Sequence, residues 1–217
     1  MKSLIVNGDD FGASRGINVG VIEAHDRGIL SSTSMMVDRP ASVEAARLAA
    51  DHPSLDVGLH VELDSVPGRR SPEEELERQV ERFNDLVGQP PSHLDAHHNV
   101  NRQAGLTAAF VAVAERHGLP LRDHCGVRHI AKFFGRWNGE SHPEQVRPDS
   151  LARILDIEVG DGFNELCCHP GYVDRQLASS YAVERETELA TLCDPGVAAL
   201  LDERRIRLAS FREVSGP

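Results

Sequence analysis

Leu4-Ile5-Val6-Asn7-Gly8-Asp9-Asp10-Phe11-Gly12 sets a pattern that the rest of the chain repeats. A short apolar run ends in polar residues and glycine, and a helical period follows over about Arg15–Asp26. Thr33–Val37 and a helix over Ala41–Ala50 form the next unit, and Leu55–Leu59 reads as a third strand that ends at His60. Pro72–Val87 carries Leu76, Val80, Phe83 and Val87 at three- and four-residue spacing, the mark of a helix with one buried stripe. Its glutamates Glu73, Glu74, Glu75, Glu77 and Glu81 read as the solvated face, with an acidic first turn that suits the helix dipole.

His93–Ala96 is a fourth strand, and the helix over Gln103–His117 is closed by Gly118 and Pro120. Leu121–Asp123 is expected as a fifth strand, Leu151–Ile157 as a helix and Asn164–Cys168 as a buried strand. Helices over Val183–Leu192 and Val197–Arg204 and a strand over Arg207–Ser210 complete the chain. Cys125–Glu144 has Phe133, Phe134 and Trp137 but no period, and reads as a loop over the strand ends. Strands alternating with helices predict an α/β fold with a parallel sheet. About seven such repeats suggest a βα barrel, closed or incomplete and irregular, of the TIM type; an open doubly wound sheet has the same periodicity. With 217 residues and no linker or internal repeat, residues 1–217 are expected to form a single domain.

The composition narrows the partners. A formal net charge of −11 argues against nucleic acid and anionic membrane surfaces, which are bound by clustered Lys and Arg. No run approaches the roughly 18 apolar residues of a membrane helix. The first residues turn acidic at Asp9-Asp10, too soon for a secretory signal. Cys125, Cys167, Cys168 and Cys193 lack zinc-ribbon spacing and are expected as free buried thiols in a reducing cytoplasm. A homodimer is compatible with all of this.

Polar residues gather where strands end. Asp9-Asp10 follow Leu4-Ile5-Val6, His60 follows Val57-Gly58-Leu59, Asp95 and His97 follow His93-Leu94, and His169 follows Leu166-Cys167-Cys168. In a βα barrel the carboxyl ends of the strands share one face, so these four stations can meet. Singly, each has a structural explanation. Paired aspartates make turns and N-caps, a lone His60 is a core histidine, and His169-Pro170-Gly171 is a tight turn. Asp95-Ala96-His97-His98 is harder to set aside, because imidazoles and a carboxylate at one strand end suit Zn²⁺ or a similar ion, with the neighbouring acid orienting a ring.

The order of these pieces is more specific than any one of them. Asn7-Gly8-Asp9-Asp10-Phe11-Gly12, Ser32-Thr33-Ser34, Val57-Gly58-Leu59-His60, His93-Leu94-Asp95-Ala96-His97-His98 and Cys168-His169-Pro170-Gly171 together resemble the YdjC-like carbohydrate deacetylases, a family that includes chitooligosaccharide deacetylases. Arg185-Glu186, Glu188-Leu189, Leu192 and Asp194-Pro195 are similar to the family's closing segment, so the resemblance spans nearly the whole chain. It implies a metal-dependent hydrolase that removes an N-acetyl group from an amino sugar or a short N-acetylated oligosaccharide. By position, Asp10, His60 and His97 would be the metal ligands, Asp9 the catalytic base and His169 a general acid opposite it. Arg122 would restrain Asp9, and Asp95 and His98 would support the site or touch substrate.

Two imidazoles favour Zn²⁺ as the one divalent ion; Mg²⁺, which prefers oxygen ligands, or another divalent ion is second. The chain departs from the family in two places. Asn99 and Asn101 stand where relatives commonly carry histidines, and the segment between His60 and His93 is short. Two other readings remain open from sequence: a metal hydrolase of another amide or ester, and a non-catalytic sugar-binding or regulatory protein on the same scaffold.

Overall fold

The computed structural model describes residues 1–63, 70–173 and 179–214. Part of the short stretch between His60 and His93 therefore lies outside the described residues. The central strand, β1 (Lys2–Phe11), is buried along its whole length after Lys2, as expected where parallel strands are covered on both faces. It is followed by α1 (Arg15–Arg27), β2 (Ser32–Met35), α2 (Ser42–Asp51), β3 (Asp56–Val61), α3 (Pro72–Val87) and β4 (Leu94–Ala96). The local chemistry explains the helix starts. Ser14 Oγ accepts the Ile17 amide ahead of α1, and Ser71 and Glu74 form a reciprocal capping box ahead of α3.

Beyond β4 a 3₁₀ segment, His97–Arg102, leads to α4 (Thr107–His117). Then come β5 (Arg128–Ile130), β6 (Arg136–Trp137), β7 (Glu140–Ser141), α5 (Pro148–Glu158) and β8 (Gly162–Cys168). The chain ends through α6 (Val183–Leu192), α7 (Pro195–Glu203) and β9 (Ile206–Leu208). No helix among the described residues is long and apolar enough to cross a membrane.

The main sheet runs β4-β3-β2-β1-β8-β5, all parallel, with β9 also on β1. β8 pairs with β1 from Lys2 to Gly8; β9 takes Lys2–Leu4 of β1, and β2 takes over from Asn7. The sheet curls strongly. β4 and β8 lie four strand steps apart in this order, roughly 19 Å if the sheet were flat. Yet the single guanidinium of Arg122 pairs with Asp95 on β4 at 2.8 Å and also with Glu165 on β8. Among the described residues no pairing joins the outer edges, so the architecture is the incomplete βα barrel that the sequence suggests.

Three expectations need correction. Leu121–Asp123 is not a strand: Leu121 makes one isolated bridge to Leu94, and the chain then turns, with Asp123 at φ 71°. Cys125–Glu144 is not an irregular loop, because it contains β5 and a β6–β7 hairpin. Asn138 and Gly139 form that hairpin's tip with φ of 53° and 81°, the left-handed pair that a tight type I′ turn requires. The final strand is Ile206–Leu208 rather than Arg207–Ser210.

The amino-terminal end of the sheet is plugged. Phe211 stacks on His93 with ring centroids 3.8 Å apart, and Arg212 pairs with Asp56 at the start of β3. Gly58 makes room for this, since a Cβ there would sit 2.3 Å from the His93 ring.

Candidate metal centre and active site

A backbone irregularity creates the site. Consecutive residues of a regular strand face opposite sides of a sheet, so Asp9 and Asp10 would be parted. The β1–β2 register slips between Gly8 and Phe11, and Asp10 adopts φ 71°. Aspartate enters this left-handed region more readily than most residues. The resulting bulge brings both carboxylates into one cluster.

Three donor atoms then converge. Asp10 Oδ1 lies 3.3 Å from His60 Nε2 and 3.2 Å from His97 Nδ1, and the two nitrogens are 3.4 Å apart. An ion about 2.0–2.1 Å from each, as Zn²⁺ prefers, spans donors at such separations when they surround it as a tetrahedron. Asp10 Oδ1 is buried and accepts no hydrogen bond, whereas its partner Oδ2 accepts from Arg185 Nη2. One oxygen is thus fixed by protein and the other left for a cation. His60 is oriented in the same way, because Nδ1 meets Asp95 Oδ1 at 2.7 Å and leaves Nε2 facing the other donors. Asp95 is held in turn by Ser34 Oγ at 2.7 Å and by Arg122.

The electrostatics agree. Four buried carboxylates (Asp9, Asp10, Asp95, Glu165) surround two buried guanidinium groups, Arg122 and Arg185. A divalent cation would neutralise the excess. Burial alone lowers the His60 pKa, but Asp95 and the Asp10 carboxylate outweigh it and raise it well above the usual imidazole range. The surroundings of Nε2 favour a positive charge there. These residues fit the metal ion that the donor set implies.

Asp9 is gripped from several sides. Arg122 donates Nη1 to Oδ2 and Nη2 to Oδ1, both at 2.8 Å, while Asn7 Nδ2 reaches Oδ1 at 2.9 Å and Cys167 Sγ reaches Oδ2 at 3.3 Å. Burial pushes the Asp9 pKa upward, but the Arg122 guanidinium overrides it and holds the carboxyl far below its ordinary range. Cys167 and Cys168 are buried, which pushes both thiols well above their ordinary pKa and makes them weak donors rather than nucleophiles.

The histidine expected opposite Asp9 is in reach. Asp9, Cys167 and His169 each offer a side-chain atom within 4.8 Å of the others. Burial pushes His169 down to about 4, and its Nδ1 has no hydrogen-bond partner. Phe134 and Tyr181 flank its ring edge-on, at centroid distances of 5.7 and 5.4 Å. Its backbone amide donates to Glu188, a buried carboxyl that also accepts from the Tyr181 hydroxyl. Burial pushes Glu188 up to about 8.

The structure therefore brings together Asp9, Asp10, Asp95, His60, His97, Arg122 and His169. His98 is not one of the three converging donors. It is exposed, in a left-handed conformation, with its ring 3.8 Å from that of His97. Asn101 is a brace rather than an imidazole substitute, since its buried Nδ2 donates to the Arg122 carbonyl at 3.2 Å. Arg185, Glu188 and Glu165 belong to the site although the strand-end rule does not find them. Arg185 and Glu188 are three residues apart on α6, and both are buried; the sequence signal for them is the closing segment that contains Arg185-Glu186 and Glu188-Leu189.

Known proteins place the chain in context. The family model described as YdjC-like protein matches residues 3–74 and 67–203. A carbohydrate deacetylase of Geobacillus stearothermophilus is 36% identical to the chain, with 96% of each covered. A chitooligosaccharide deacetylase of Serratia marcescens is 35% identical, covering 98% of this chain and 99% of its own length. Among solved structures, a protein of Enterococcus faecalis V583 superposes with a TM-score of 0.85 at 25% identity over 99% of both chains. A family 4 carbohydrate esterase from Streptomyces lividans, 14% identical, shares the fold with a TM-score of 0.61, covering 100% of this chain and 97% of its own. The motif order, the curled parallel sheet and these matches agree, and the chain belongs to the YdjC-like family.

Proposed function

We propose that the protein is a cytoplasmic, metal-dependent carbohydrate deacetylase, acting as one domain and hydrolysing the acetamide of an N-acetylated amino sugar or short oligosaccharide. The observation that carries this reading is the meeting of Asp10 Oδ1, His60 Nε2 and His97 Nδ1 beside a clamped Asp9 and an unpartnered His169 nitrogen. The names of the Geobacillus and Serratia relatives supply the substrate class. A divalent ion on the three donors, with Zn²⁺ preferred for two imidazoles, would polarise the acetyl carbonyl and acidify a water.

The chain's own residues do the rest. Asp9, kept ionised by Arg122, orients the attacking water and accepts its proton. His169 rests neutral, so the proton it hands to the departing amine is the one that Asp9 takes from the water, passed between the two neighbouring side chains. Water adds its oxygen to the acetyl carbon, the C–N bond breaks, and acetate and the free amine leave. Asp95 fixes His60, Arg185 fixes Asp10, and the thiol of Cys167 steadies Asp9 in a reducing compartment.

The Zn²⁺-loaded protein should release acetate from N-acetylglucosamine oligomers and not from acetyl esters of similar size. A chelator should stop the release, and added Zn²⁺ should restore it. Binding of the oligomers to loaded, folded protein without any acetate would instead favour the non-catalytic reading.

A further inference from the structure

Next to the site lies a cleft of about 490 Å³ between the β6–β7 hairpin and α5, lined by Phe134, Trp137, Lys132, Arg136, Arg153 and Ile157 among others. That volume falls within the range of small-molecule sites. Two large aromatic rings are left open in it, Phe134 at 39% and Trp137 at 42% exposure. Each is backed by a second ring. Phe134 lies parallel to Tyr181 with centroids 4.7 Å apart, and Trp137 lies parallel to His142 at 3.8 Å. Backing on one face fixes a ring's plane and leaves the other side for a ligand. Trp137 is further held by the tight Asn138-Gly139 turn.

Two of the three cations lining the cleft are paired with carboxylates, and the third meets a hydroxyl. Lys132 pairs with Glu158, and Arg136 with Glu184. Arg153 donates to Ser150 Oγ. An anion at Lys132 or Arg136 would have to compete with Glu158 or Glu184, whereas a neutral ligand with hydroxyl groups and flat apolar faces would leave both pairs intact. Pyranose rings have that character: their C–H faces cover aromatic rings while hydroxyls at the edge reach polar side chains. Continuity with the active site comes through Phe134, which lines the cleft and also meets the His169 ring.

We propose that this cleft is an outer subsite for the second and later pyranose rings of a neutral N-acetylated oligosaccharide whose terminal acetamide sits at the metal donors. The inference rests on the deacetylase reading for its orientation, and on the cleft alone for its ligand. The chain has a single tryptophan, Trp137, so intrinsic emission reports the cleft directly.

Titrating Zn²⁺-loaded protein with the tetramer of N-acetylglucosamine should change this emission saturably, and the monomer at equal concentration should leave it unchanged. In acetate-release assays the kcat/KM ratio of tetramer over monomer should fall about tenfold in Trp137→Ala, through KM, the loss of roughly one stacked ring face. Unchanged emission at high tetramer concentration overturns the subsite, even if acetate is released. Saturable emission change without acetate keeps the subsite and overturns the deacetylase reading instead. A tetramer-to-monomer ratio that is the same in Trp137→Ala and the unaltered protein also counts against the subsite.

Discussion

Asp9→Asn should lower acetate release by about two to four orders of magnitude, the usual contribution of a positioned general base, while the protein still binds one divalent ion. The donors Asp10, His60 and His97 are untouched by the change. Asparagine keeps one oxygen toward Arg122 but loses the charge that pairs with it, so some thermal stability should go as well. Turnover is therefore compared on folded, metal-loaded protein. Near-normal release from this variant would remove Asp9 from the mechanism and leave the ion and His169 to explain catalysis.

Arg122→Met should cost more in folding than any other single change in the site. The guanidinium is 1% exposed and contacts Asp9, Asp95 and Glu165. Methionine fills part of its volume but leaves three buried carboxylates facing one another. Removing one partner of a buried ion pair typically costs about 3–5 kcal/mol. In a chain of 217 residues this corresponds to a drop in Tm of roughly 10 °C or more. Arg122→Lys should recover part of the loss, because it restores charge but not the forked geometry that spans both Asp9 oxygens. A melting temperature within a degree or two of the unaltered protein for Arg122→Met would show that the cluster is not held together by this residue.

The fold was legible where period and punctuation coincide. Leu4–Val6 and Leu166–Cys168 are apolar runs that end at polar residues, and both lie in buried strands that pair with each other. α3 announces itself by its stripe and its capping box. The failures lie where a few residues decide. Leu121 reads as strand because it follows Leu119 and Pro120 at the end of a helix, but Asp123 turns the chain, so one bridge forms. Within Cys125–Glu144 the hairpin was announced by Asn138-Gly139 alone, a signal that period counting over a longer window dilutes.

For the site, strand ends pointed to Asp9, Asp10, His60, Asp95, His97 and His169 without any structure. What they could not show is the bulge that turns two successive aspartates into one cluster, since it depends on the register between β1 and β2. Nor could they show Arg185 and Glu188, which reach the centre from a helix rather than a strand. The choice of Oδ1 rather than Oδ2 of Asp10 as the open donor also appears only with Arg185 in place.

The central claim is that Asp10, His60 and His97 hold one divalent ion on which turnover depends. Zinc titration with direct metal analysis, run side by side on the unaltered protein, Asp9→Asn and His97→Ala, tests it most directly. One equivalent should be retained after gel filtration by the first two and lost by folded His97→Ala, together with its acetate release. Full zinc retention in His97→Ala, or no stoichiometric zinc in the unaltered protein with any divalent ion tried, would contradict it.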